Sequence, residues 1–396
     1  MPVLNSRALP RSIWTLGFVS LLMDASSETI HALLPMFLVS VLGASTLAVG
    51  LIEGVAEATA QIVKICSGAI SDAFGKRKPL VLFGYGLAAL SKPLFPLASS
   101  VAWVAAARFA DRIGKGIRGA PRDALIADLT DESNRGAAFG LRQSLDTVGA
   151  FIGPAAAVAL MWLLGGNFRA VLWIAVIPAI LCVLLIWFGV DEPEGKARAP
   201  KADRPKLSLS EACAFGGVYW SVVAVAFAMT LARFSDAFLI LRAQSVGLSS
   251  ALAPLVMVLM NIVYTLSSYP IGKLADRADR RTLLMIGFVL LMASDLLLAA
   301  AHGVVVLALG VVLWGLHMGF TQGLLAAMVA DAAPAARRGS AFGLFYLASG
   351  IAMLLASAIA GGLWSAIGPS ATFVAGAAFV ALATLGMLLL RDNRAP

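Results

Sequence analysis

"DRIGKGIRGAPRDALIAD", residues Asp111–Asp128, decides how this chain folds. The stretch holds Asp111, Arg112, Lys115, Arg118, Arg122 and Asp123. It nevertheless sits between two apolar runs, "SVAWVAAARFA" before it and "AAFGLRQSLDTVGAFIGP" after it. Read as a loop, its charges are simply solvated. Read as a helix, they lie inside whatever the apolar runs are buried in.

Composition narrows the choice. The chain has 396 residues, of which 60% are hydrophobic and 13% charged, with a mean hydropathy of +0.89. Soluble domains are roughly 45–50% apolar and about 25% charged. Apolar runs such as 170–190, 283–301 and 373–390 approach or reach the roughly 20 residues that a helix needs to cross a bilayer. Open strands cannot satisfy their backbone groups in lipid, so the crossings are helices.

Other classes fit poorly. Cys66, Cys182 and Cys213 each stand alone and read as small buried hydrophobes, without disulfide or metal spacing. No phosphate-cradling glycine loop, nucleophile–base set or ATP signature is present. The expectation is therefore a protein that is not an enzyme, with no cofactor and no bound metal. The "MPVLNSRALPRSIW" start lacks a cleavage site and reads as part of a retained helix. The formal charge of +8 suits basic loops on one membrane side better than a nucleic-acid partner.

Turn and charge signals place about twelve crossings. They are 12–42, 46–70, 79–99, 101–127, 137–164, 169–189, 217–245, 251–274, 282–302, 304–331, 339–365 and 369–390. Connections alternate between basic ("GKRKP", "DESNRG", "DRADRRT", "APAARRG") and nearly uncharged ("GASTLA", "LASSVAW", "SAIGPSA"). Basic loops stay in the cytoplasm, which puts both termini there and the protein in the cytoplasmic (inner) membrane. Treating Asp111–Asp128 as a loop would place "GKRKP" and "DESNRG" on opposite sides. It reads as the fourth crossing. The polar segment 191–216 is a linker between residues 1–190 and 217–396.

The two parts repeat. "IADLTDESNRGAAFGL" (Ile126–Leu141) matches "VADAAPAARRGSAFGL" (Val329–Leu344). "GAISDAFGKRK" (Gly68–Lys78) matches "GKLADRADRRT" (Gly272–Thr282). Both matches share an offset of about 200 residues, the mark of a duplicated unit.

On these residues the chain resembles the major facilitator superfamily of secondary transporters over nearly its whole length. Gly68, Asp72, Gly75, Lys76 and Arg77 follow that superfamily's G-x-x-x-D-R-x-G-R/K-R/K loop, departing at Ala73. The second copy keeps Asp276 and Arg277, with Asp279 where glycine is usual. The resemblance implies an all-α polytopic membrane protein. Its twelve transmembrane helices form two six-helix bundles related by a pseudo-two-fold axis, which rock about a central cavity. It also implies that Asp72 and its basic neighbours gate the cytoplasmic side. "VGAFIGP" (Gly149–Pro154) is similar to the fifth-helix motif of proton-coupled exporters, although small-xxx-small spacing also serves ordinary close packing.

A charge at mid-helix costs roughly 2.5–3.5 kcal/mol on insertion scales and marks a site by default. At about 100° per residue, Arg108, Asp111, Arg112, Lys115, Arg118 and Arg122 share an arc of roughly 120°. Asp24, Glu28 and His31 share a face of the first crossing, Glu53, Glu57 and Lys64 one of the second, and Arg142 and Asp146 one of the fifth. The tenth crossing, repeat partner of the fourth, holds no Lys or Arg. The scaffold therefore does not require the stripe, which leaves solute handling or a network of ion pairs.

The favoured expectation is proton-coupled transport of a small polar, anionic or zwitterionic solute by a monomer. Arg112, Lys115, Arg118 and Arg142 present donors to the solute, joined from the second half by Asn261, Tyr264, His317 and Gln322. Asp24, Glu28, His31, Glu53, Glu57 and Asp146 carry protons. Arg122, Asp123 and Asp128 lie toward the cytoplasmic end with the gate. Multidrug efflux in exchange for protons is the alternative. Metal transport is the weaker one, on the soft set Met257, Met260, His317 and Met318. Lys92 and Asp295 have no place in this scheme.

Overall fold

A computed structural model describes residues 9–74, 76–131, 134–191, 215–275, 278–333 and 338–389. They are helical nearly throughout. The helices are α1 (Arg11–Met36), α2 (Thr46–Phe74), α3 (Lys78–Ser91), α4 (Leu94–Leu97), α5 (Val101–Leu129), α6 (Arg135–Leu163), α7 (Phe168–Ile174) and α8 (Val176–Gly189). After the linker come α9 (Gly217–Ala232), α10 (Ala237–Ser245), α11 (Leu255–Ala275), α12 (Arg280–Ala299), α13 (Val304–Ala332), α14 (Arg338–Ala366) and α15 (Pro369–Leu389).

Among the described residues, ten spans are long and apolar enough to cross a membrane. Two further helices, α1 and α5, are 26 and 29 residues long; α1 carries Asp24 and Glu28 and α5 the charged stripe, while α2 and α6 hold mid-helix charges too. Residues 111–128 are helix, one continuous α5 from its Ser100 cap, which accepts from the Trp103 N–H, to Leu129.

Three expected crossings are interrupted. The third breaks at Lys92–Pro93, where proline lacks the N–H the helix needs. The sixth bends at Ala175. The seventh breaks at Arg233–Asp236. Freed backbone groups in an apolar slab must find partners. At the seventh, the Ser235 N–H donates to Ser357 Oγ at 3.3 Å, and Ser235 Oγ accepts from the Ala237 N–H at 3.3 Å.

The chain packs as two compact units. One holds residues up to Phe37 and Thr59–Pro200; the other holds Leu38–Ala58 and residues from Lys201 on. The linker 191–216 was expected to be the boundary, and residues 38–58 to lie in the first bundle. Here the chain also passes between units inside α2, while residues 192–214 of the linker lie outside those described.

In the first unit, α1 packs on α6 and α8, and α3 on α5. Its apolar core joins Leu16, Val19 and Met23 of α1 to Val81 and Tyr85 of α3, Leu125 of α5 and Ile186 of α8. Gly84 and Gly114 bring α3 against α5. A Cβ on Gly114 would meet Gly84 O at 2.7 Å and Ala88 N at 2.8 Å. Gly114 and Gly116 are contact points in an unbroken helix. In the second unit, Phe234 in the helix break meets Trp314 of α13 at a tilt and Phe373 of α15 edge-on.

Candidate functional site

The charged face of α5 meets residues of α1 and α3. At the α4 end, Lys92 caps α3 and donates to Asp111 Oδ1 at 2.7 Å and to Ser27 Oγ of α1 at 2.9 Å. Arg108 and Arg112 place a guanidinium nitrogen 3.8 and 3.6 Å from Asp111 Oδ2. The three cations are 1% exposed and the carboxylate 3%. Charges so far from water persist only when paired and hydrogen-bonded.

Further along α5 the arrangement changes. Lys115 is exposed, unlike its neighbours on the stripe. Arg118 lies 3.9 Å from Asp24 Oδ1 and stacks over the Tyr85 ring at 4.5 Å. Arg122 donates to Tyr85 Oη and to Ser20 Oγ, each at 3.3 Å, and to Asp123 Oδ1 at 3.1 Å. Tyr85 therefore holds two arginines, one on its ring face and one on its hydroxyl.

Asp24 also faces Asp146 of α6 within hydrogen-bonding range. Arg142 stands 3.6 Å from Asp146 Oδ2. This approach depends on Gly149 and Gly153, which let α6 lie on α1. A Cβ on Gly153 would meet Glu28 Cβ at 2.6 Å, Thr29 N at 2.9 Å and Ala25 O at 3.0 Å. Close packing thus accounts for the glycines of "VGAFIGP". One turn above Asp24, Glu28 bonds His31 Nδ1 at 3.3 Å. At the far end of α5, Asp128 pairs with Arg77.

The structure brings together Asp24, Arg118, Arg142 and Asp146 in one array. Glu28 joins His31, Arg77 joins Asp128, and Arg122 joins Asp123. Arg112, expected to face a solute, packs beside Asp111 instead. Glu53 and Glu57 fall in the second unit, apart from the acids with which sequence reasoning grouped them. Lys76 is exposed. Gly75, Asp276 and Arg277 lie outside the described residues, as do the side chains of Gly68, Asp72 and Gln322.

In the second unit, buried His317 donates from Nδ1 to Gly287 O of α12 at 2.9 Å. Asn261 and Tyr264 on α11 are partly exposed. Asp295 is fully buried, and neither of its oxygens has a hydrogen-bond partner among the described residues. It sits against Gly376, whose absent Cβ would come within 2.6 Å of Oδ2.

Sequence reasoning missed Tyr85, Ser20 and Ser27, and left Lys92 without a role. Lys92 had a signal. It is the one charge between Lys78 and Arg108, and a lone cation in an apolar helix demands a partner. Tyr85 had none, because a tyrosine in "FGYGLAAL" packs equally well without any arginine.

A profile of the Major Facilitator Superfamily matches residues 16–241 and again 219–396. The chain belongs to the major facilitator superfamily. The repeated match is the duplication seen in the loop sequences. An uncharacterized MFS-type transporter of Methanocaldococcus jannaschii is 33% identical over 400 residues, covering 98% of this chain and 96% of that protein. Multidrug resistance protein MdtH of Photorhabdus laumondii is 31% identical over 192 residues, 48% of this chain and 46% of its own length. Among solved structures, a point mutant of the nucleoside transporter NupG superposes with a TM-score of 0.81 over 95% of this chain and 98% of its own, at 15% identity. That likeness is one of fold. As a superfamily member the chain is a multi-pass membrane transporter of small-molecule solutes, not an enzyme.

Proposed function

We propose that the protein is a proton-coupled secondary transporter that moves a small polar, anionic or zwitterionic solute across the cytoplasmic membrane by alternating access. It works as a monomer with both termini in the cytoplasm. The observation that supports this reading is the stripe on α5, whose repeat counterpart α13 has no Lys or Arg. Its cations divide into two groups. Arg108 and Arg112 are sealed beside Asp111 and Lys92. Lys115 is exposed, and Arg118 and Arg142 stand at 3.9 and 3.6 Å from their acids, beyond hydrogen-bond distance.

Those three are the candidate donors to a carboxylate or phosphate, Arg142 also donating to Gln143 Oε1 at 2.5 Å. Arg112 orients the site from behind. Asp24, Glu28, His31 and Asp146 carry the proton, with Glu53 and Glu57 contributing from α2. Arg77, Asp128, Arg122 and Asp123 join Gly68, Asp72, Gly75, Lys76, Asp276 and Arg277 in the gate. Asn261, Tyr264, His317 and Gln322 are the second half's candidates for solute recognition.

A second reading, proton-driven multidrug efflux, is favoured by the partial likeness to MdtH. Dense charge argues against it, because lipophilic drugs suit apolar cavities with few polar groups. A thermal-shift screen of the purified protein against metabolite anions, zwitterions and lipophilic cations, at two pH values, separates the two readings. The anionic reading expects anions to raise the melting temperature, and Lys115→Ala and Arg118→Ala to abolish the shift. Shifts from lipophilic cations alone overturn it.

A further inference from the structure

On the reading of this site as an anion transporter, we infer that Asp24 and Asp146 form a single proton-holding unit, and that Arg118 ties it to the solute so that an anion and a proton bind together.

The geometry is an alternating row across three helices. Arg118 of α5 stands 3.9 Å from Asp24 Oδ1 of α1, and Arg142 stands 3.6 Å from Asp146 Oδ2 on α6. Between the arginines, the two carboxyl groups face each other within hydrogen-bonding range. An ionised carboxylate only accepts hydrogen bonds. Two carboxyl groups that meet this way bond through one shared proton, and like charges so close do not both ionise easily. Each side chain is 23% exposed, so water reaches the pair and a proton can enter and leave. Gly149 and Gly153 hold the pair together by setting the approach of α6 to α1.

Charge counting gives the coupling. With both acids ionised, two carboxylates balance two arginines and the row is neutral. With one proton shared, the row holds one positive charge in excess, and exposed Lys115 adds to it. A bound anion removes that excess. An anion drawn to Arg118 also weakens that arginine's hold on Asp24, which leaves the carboxyl pair free to keep its proton. By linkage the two ligands assist each other equally.

Other charged groups stand around the pair: Lys115 and Arg112 lie within electrostatic reach of Glu28, and Arg122 within reach of Asp146. Arg122 of α5 is bonded to Tyr85, Ser20 and Asp123. Glu28 and His31 on α1 bond each other. Arg169 of α7 is spent on the carbonyls of Pro96 and Ala98. Lys64 of α2 is within electrostatic reach of Arg142 and Asp123. From α8 the titratable side chain is that of buried Cys182.

The shared proton is tested without any solute. Infrared difference spectra of the full-length purified protein between two pH values report titrating carboxylic acids. We expect a carboxylic-acid band that disappears in Asp24→Asn and equally in Asp146→Asn, and that returns, shifted, in Asp24→Glu. Persistence of the full band in either Asn variant, with folding confirmed by circular dichroism, overturns the shared site.

Coupling is tested in proteoliposomes with an internal pH dye, using succinate and inorganic phosphate as probes. Internal acidification during uptake of either anion is expected. In Asp24→Asn, the acidification per anion taken up is expected to fall. Alkalinisation during uptake overturns joint binding. Movement of neither anion overturns the anionic reading and joint binding together, while the infrared band alone judges the carboxyl pair.

Discussion

Lys92, at the end of α3, reaches across to Asp111 on α5 and bonds it at 2.7 Å where neither side chain meets water. Arg108 and Arg112 stand behind the same carboxylate. Asp111 therefore faces three cations. Asp111→Asn is expected to cost about 3–5 kcal/mol of stability, the usual result of stranding buried charge. Lys92→Met should cost less, because Asp111 keeps two arginines. Thermal unfolding in detergent measures both. An Asp111→Asn protein as stable as wild type would sink this account.

Tyr85 offers a graded test. Tyr85→Phe keeps the ring beneath Arg118 and removes the hydroxyl from Arg122, at a cost of about 1 kcal/mol. Tyr85→Leu also removes the cation–π contact and should cost up to about 2 kcal/mol more. Transport is expected to follow the same order, with Phe between wild type and Leu. If Phe and Leu behave alike, the ring face does nothing for Arg118.

Two glycines of α6 should respond in opposite ways to alanine. At Gly153 a Cβ meets backbone atoms of α1 that cannot yield, so Gly153→Ala should destabilise by about 1–3 kcal/mol. At Gly140 nothing lies within 4 Å. Gly140→Ala should be neutral or stabilising by up to about 1 kcal/mol through helix propensity. Paired melting curves decide, and a reversed order contradicts the packing of α6 on α1.

Asp279 gives a pH test at a helix end outside the spanning segments. The Thr282 backbone N–H donates to its carboxylate at 2.9 Å, which holds it below the ordinary aspartate value of 3.8. A lowered folded-state value means the cap stabilises fully above the ordinary value, and the benefit fades as pH falls through the folded one. Asp279→Ala should therefore cost up to about 1 kcal/mol at neutral pH. The gap to wild type should close progressively below the ordinary aspartate range. A gap that stays constant on acidification would show that the carboxylate is not the cap.

Much of the fold was legible. The apolar runs and their basic or uncharged connections placed the crossings, and the matched loops exposed the duplication. The interruptions at Lys92–Pro93 and Arg233–Asp236 were less so. The third crossing was expected to run unbroken over 79–99, although Pro93 lacks the N–H that a continuing helix needs. The second interruption depends on Ser357, a residue far off in sequence whose hydroxyl receives the freed Ser235 N–H.

The sequence by itself determined that Asp111–Asp128 is a helix with its charges on one face, because a period of 3.6 residues converts spacing directly into direction. It could not name what that face meets. Side chains as long as arginine and lysine reach partners on any neighbouring helix, so pairing depends on how closely the helices approach. Gly84, Gly114, Gly149 and Gly153 set that approach, and each is silent until the facing helix is in place. Only the tertiary structure divided the stripe into a sealed group around Asp111, two arginines on Tyr85, and a row through Asp24 and Asp146.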